Sequence, residues 1–195
     1  PLYTTLALFI GSLLILVALK PTVSARTREA LHDPKPRELF LGRFGVMAVL
    51  SLAQTTLMGL GNLLFLQVQV AHPLLFMACF WFAGLVFTFM IYALVAAFAN
   101  LGKAVAVLLL IVQVTGCGGS FPLQLLPPFI QGLSPWLPAT HVVNAMRAAM
   151  FGTYLNDFWV EMGLLALFLV PAAIIGLALR KPLAKLMNWY VEQVE

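Results

Sequence analysis

The segment KPTVSARTREALHDPKPRELFLGR, residues 20–43, holds six of the chain's eleven Lys and Arg residues and separates two apolar stretches, each long enough to cross a bilayer. A membrane helix needs about 20 mostly apolar residues, and short loops rich in Lys and Arg stay on the cytoplasmic side. The segment therefore predicts an integral membrane protein whose first loop faces the cytoplasm. Composition agrees: 62% of residues are hydrophobic, 9% are charged and the mean hydropathy is +0.99, far from the balance of a water-soluble domain.

The net charge of +4 does not point to nucleic acid, because the cations sit at helix ends and in one short loop rather than in a basic groove with interleaved aromatics. Anionic lipid headgroups account for them. Cys79 and Cys117 fall inside or at the end of apolar stretches and read as small packing residues, not as a disulfide framework. The chain opens on Pro1-Leu2 with no basic leader and no cleavage-site pattern, so the first apolar segment is not expected to be a signal peptide and the chain reads as a piece of something longer.

Five spans are expected, at about residues 2–19, 39–70, 74–99, 101–115 and 162–179, within a single membrane domain over 1–195. Lys20-Pro21 ends the first, His72-Pro73 marks the turn after the second, and Arg180-Lys181-Pro182 ends the fifth. Residues 20–38 then form a cytoplasmic loop, 116–161 an outer segment and 180–195 a cytoplasmic tail. In this threading the N-terminus is outside, and ten of the eleven basic residues face the cytoplasm, with Arg147 alone outside. The tail repeats Leu183, Leu186, Met187, Tyr190 and Val194 at helical spacing, which predicts a short surface helix.

The outer segment carries the chain's individuality. Gly116-Cys-Gly-Gly-Ser-Phe-Pro122 permits a sharp reversal, and Pro127-Pro128 and Ser134-Pro-Trp-Leu-Pro138 interrupt the chain beyond it, yet the residues between them are apolar. An apolar, broken stretch of this kind predicts a re-entrant or interfacial helical hairpin before the last span. From 139 to 151 an amphipathic helix is expected, with Val142, Val143, Met146, Ala149 and Met150 on one face and Thr140, Asn144 and Arg147 on the other. The fold class is thus all-α integral membrane, five transmembrane helices with that outer hairpin.

Gly118-Gly119-Ser120-Phe121-Pro122, Leu125-Leu126-Pro127, Pro135-Trp136-Leu137-Pro138 and the helix ending Ala145-Met146-Arg147 together resemble the C-terminal membrane domain of the YhgE/Pip (phage infection protein) family, related to the type-2 ABC exporter permeases. The similarity covers nearly the whole chain. His141 stands where that family more often has an aromatic residue after Pro-x-Thr, so no role is carried over to it. The resemblance implies a large extracytoplasmic region ahead of the five spans and a coupling helix in the first cytoplasmic loop that touches an ATPase, here Thr22, Ser24, Arg26, Arg28, Glu29 and Leu31. It also implies re-entrant helices built on Gly118, Gly119, Pro122, Pro127, Pro138 and Arg147. The same resemblance implies a permease half working as a homodimer or pseudo-dimer, in the bacterial cytoplasmic (inner) membrane with the C-terminus inside.

No phosphate-cradling glycine loop, metal-spaced His/Cys cluster or catalytic triad is present in the sequence, so the chain is not expected to be an enzyme or to hold a cofactor, and any ATP hydrolysis falls to a separate chain. Polar residues within the spans, Gln54, Thr55, Thr56 and Gln113, read as interhelical hydrogen bonding ahead of a substrate path, since none is ionisable. Arg147 is expected to pair with Asp157 or Glu161, or to reach lipid headgroups, before it meets any substrate. Ala172-x-x-x-Gly176 permits close helix approach, within the chain or in a dimer. Two functions compete: a permease exporting a hydrophobic or amphipathic substrate, and a non-transporting anchor for a large outer domain that serves as phage receptor or secretion scaffold.

Overall fold

Long runs of Leu, Ala, Phe and Val with few internal breakers favour helix, and a computed structural model has helices and no strand among its described residues, which are 1–19, 36–98, 100–119, 121–152 and 155–179. Helix α1 spans Leu2–Ala18, α2 Pro36–Leu60, α3 Pro73–Phe98 and α4 Asn100–Gly116. After the bends at 117–119 come a 3-10 turn at Leu123–Leu125, the short helix α5 at Pro128–Leu133 and a second 3-10 turn at Ser134–Trp136. Helix α6 is Pro138–Phe151 and α7 is Leu155–Leu167, followed by α8 at Leu169–Ala173 and a π-helical turn at Ile174–Leu179.

Among the described residues, three segments are long and apolar enough to cross a membrane: Glu38–Phe65, Pro73–Phe98 and Asp157–Leu177. Helices α1 and α4 are shorter apolar helices of 17 residues each. The coupling-loop residues Thr22 to Leu31 and the tail from 180 onward lie outside the described residues.

Helix α3 is the hub. It is apolar on every side, as a helix must be to sit inside a bundle, and Phe76, Phe80, Phe87, Ile91 and Tyr92 are all fully buried. Helices α1, α2, α4 and α6 and the α8 region all pack on it. Tyr92 anchors one end by donating its Oη hydrogen to the Phe40 carbonyl at 3.0 Å. A hydroxyl cluster braces the middle, where Thr88 Oγ1 of α3 lies 3.0 Å from both Ser12 Oγ of α1 and Ser51 Oγ of α2. Three helices thus meet at one polar point in an apolar core. Bonds of this kind contribute about 0.6 kcal/mol each inside a membrane. Thr88→Val is therefore expected to destabilise by about 1 kcal/mol, and a double-mutant cycle with Ser12→Ala should return a positive coupling below about 2 kcal/mol.

The last apolar segment is not one regular helix. Pro171 lacks an N–H and its ring crowds the carbonyl four residues earlier, at Leu167. The α-helix accordingly breaks at Phe168 and resumes as α8. Helix α6 is held at its far end by backbone from elsewhere: the N–H groups of Ala71 and His72, just ahead of α3, donate to the carbonyls of Met150 and Ala149 at 3.0 and 3.1 Å.

Candidate functional site

Helix α6 does not leave its polar side open to water. Pro138 supplies a preset φ at the first helical position, where no donor is missed, and from there Thr140 and His141 are buried along with the apolar face. The cover comes from α7, the chief packing partner of α6. Its Glu161 lies within the apolar segment Asp157–Leu177, which begins ahead of the Met162 expected from the sequence.

Glu161 takes two donors from α6. His141 Nδ1 lies 2.6 Å from Oε2, and Asn144 Nδ2 donates to Oε1 at 3.0 Å. The second ring nitrogen of His141, Nε2, is 3.0 Å from the Pro135 carbonyl. A carbonyl oxygen and an ionised carboxylate can only accept. With both as partners, the ring satisfies both bonds only when each nitrogen carries hydrogen, that is, as imidazolium. Phe168 stands beside the ring at 5.7 Å between centroids. Burial lowers the His141 pKa, but the Glu161 hydrogen bond, the Pro135 carbonyl and the Glu161 charge outweigh it and leave the net value above the ordinary one.

That shift sets the sign of the pH dependence. A cationic group whose pKa is raised by folding stabilises the fold fully below its unfolded value of about 6.5, and loses that contribution as pH rises through the folded value. The melting difference between the native chain and His141→Gln is expected to be largest below about pH 6.5 and to shrink as the solution is made alkaline. A pH-independent difference would contradict this assignment.

One turn further along α6, Arg147 donates Nη2 to the Gly118 carbonyl at 2.9 Å. Gly118 sits at φ +63, a left-handed conformation that glycine adopts without strain, and the cation fixes the reversal after α4. Gly118, Gly119, Pro122 and Arg147 share one cleft of about 340 Å³ with Phe121, Leu123 and Gln124. The structure therefore brings four of the six outer-motif residues together, while Pro127 precedes α5 and Pro138 opens α6. Arg147 also lines a second cleft of about 340 Å³ with Asn144, Ala148, Asp157, Val160 and Glu161, yet no ion pair joins it to either carboxylate among the described residues.

The span polar residues are dispersed. Gln54 Nε2 approaches Met58 Sδ at 3.9 Å, and its amide covers Gly11 of α1. Thr55 is buried and returns its hydroxyl to the Leu52 carbonyl at 3.1 Å, packed on Gly84 of α3. Gln113 of α4 is fully buried, and neither of its amide atoms meets a hydrogen-bonding partner. His141, Asn144 and Glu161 are the cluster that sequence reasoning missed. The visible signal was a carboxylate at the head of an apolar run, with a histidine and an amide one turn apart upstream.

Comparison with known proteins decides the family. A family model described as ABC-2 family transporter protein matches residues 1–178. The chain belongs to the ABC-2 transporter family. It is 28% identical to YhgE of Bacillus subtilis (strain 168) over 166 residues, which are 85% of this chain and 21% of YhgE. It is 31% identical to nodulation protein J of Neorhizobium galegae over 110 residues, 49% of this chain and 42% of that protein. The chain thus spans about a fifth of one relative and less than half of the other. No solved structure is significantly similar. The resemblance to the YhgE/Pip membrane domain is borne out, and this ABC-2 chain is a transporter membrane domain.

Proposed function

We propose that this domain is the permease half of a type-2 ABC exporter, acting as a dimer to move a hydrophobic or amphipathic substrate out across the bacterial cytoplasmic membrane. The observation that carries this reading is the match to the ABC-2 transporter model along nearly the whole chain. In this reading the chain crosses the membrane five times. Helices α1 and α4, at 17 residues each, reach the lower limit of a spanning helix, about 17 residues, and the cation-rich segment 20–38 and the tail lie inside. The elements at 121–137 then form the re-entrant cap on the outer side, with Phe121, Leu125, Phe129 and Trp136 exposed for lipid or a second copy.

Energy comes from a separate ATPase docked on Thr22, Ser24, Arg26, Arg28, Glu29 and Leu31. Gln113, whose amide is unpartnered in this conformation, is the residue we assign to the substrate path or to a second conformation, since an amide buried without partners costs about 1–3 kcal/mol.

Co-purification with an ATPase from the native membrane tests the reading. Arg26→Glu with Arg28→Glu and Leu31→Asp should abolish the association and substrate efflux together. Efflux unchanged after scrambling residues 22–38 would count against it. Thiol labelling of Arg28→Cys and Ile130→Cys should report opposite sides of the membrane.

A further inference from the structure

We propose that the cleft between α6 and α7 binds the headgroup of a phospholipid carrying both a phosphate and a primary ammonium, the phosphoethanolamine type. The cleft, about 340 Å³, lies at the small end of molecular binding sites. Its wall carries one guanidinium and two carboxylates, from Arg147, Asp157 and Glu161.

These groups are not equally occupied. Both Glu161 oxygens are engaged, by His141 and Asn144. Arg147 spends one donor on the Gly118 carbonyl and retains the rest of its five-donor fork. Asp157 is exposed and has no protein partner among the described residues. A cation with spare donors and an unengaged carboxylate therefore face one cleft without closing on each other. A zwitterion fits between them, its phosphate on Arg147 and its ammonium on Asp157.

Position favours a lipid over a free metabolite. Asp157 opens the apolar segment Asp157–Leu177, so the cleft stands where headgroup meets hydrocarbon. Val160 lines the cleft, and Val160, Leu164 and Leu167 continue from it along one exposed face of α7, where acyl chains would lie. The charge set also selects among headgroups. A trimethylated ammonium has no N–H to donate to Asp157, and a headgroup without an ammonium leaves the Asp157 charge uncompensated.

The test is native mass spectrometry of the purified chain in detergent, titrated with phosphatidylethanolamine, phosphatidylcholine and phosphatidylglycerol of matched acyl chains. Phosphatidylethanolamine should be retained about tenfold more strongly than the other two, the factor expected for one added hydrogen bond to a charged group. Asp157→Asn should bring it down to the phosphatidylcholine level, and Arg147→Lys should preserve more binding than Arg147→Gln. Equal retention of all three lipids, phosphatidylglycerol binding as well as phosphatidylethanolamine, or an unchanged preference in Asp157→Asn would each overturn the assignment. Binding is read without transport, so such a result would leave the export reading where it stands.

Discussion

Glu161→Ala is expected to lower stability by about 2 kcal/mol, within the range for losing hydrogen bonds to a charged group at a part-buried site, and to do so without altering any apolar contact of the bundle core. The reason lies in what remains behind. His141 would keep a buried ring with one acceptor gone, and Asn144 would lose the carboxylate that takes its amide hydrogen. Glu161→Gln should fall between, because an amide oxygen still accepts one of the two donors but carries no charge. Thermal unfolding of the purified protein measures the loss, and a double-mutant cycle with His141→Gln should show strong coupling. A Glu161→Ala protein that melts with the native chain would remove the cluster from any stabilising role.

A single methyl at Gly102 should do comparable or greater damage. There α4 begins directly against the end of α3, and a Cβ would collide with the Leu94 carbonyl oxygen and come within 2.6 Å of its carbon and 2.8 Å of Val95 Cα. These are backbone atoms of a packed helix, so no rotamer change relieves the overlap. Overpacking ordinarily costs about 1–3 kcal/mol, occasionally more, and Gly102→Ala belongs at or above the top of that range. It should appear as lost folded yield from detergent extraction. Gly163→Ala is the matched control: nothing lies within 4 Å of the added carbon, and replacing a helical glycine there should be neutral or stabilising by up to about 1 kcal/mol. If both substitutions behaved alike, the close α3–α4 approach would be wrong.

How much of this was legible in the chain depends on whether the signal is local. Apolar runs with a break at His72-Pro73 announce their helices, because burial and breakers act over a few residues. So does the reversal at Gly118-Gly119, since glycine is read directly. The His141–Asn144–Glu161 cluster was not legible: its members lie 17 and 20 residues apart on two helices, and only the packing of α6 on α7 brings them together. The periodicity of 139–151 assigned Thr140 and Asn144 to an open polar face, but a second helix covers that face. The contact Arg147 makes escaped for another reason. Its partner is a main-chain oxygen, which leaves no trace in residue identity. Ser12, Ser51 and Thr88 were passed over because small hydroxyls are commonplace in apolar helices and usually bond their own turn.

The stitch between the residues ahead of α3 and the last turn of α6 has a mechanical consequence. Two main-chain bonds, Ala71 to Met150 and His72 to Ala149, couple the start of the central helix to the end of the polar one. A tilt of α6 must either break both bonds or drag the hub with it, and the hub carries the hydroxyl junction and the Tyr92 anchor. While both bonds hold, the start of the shaft and the end of α6 form one mechanical unit.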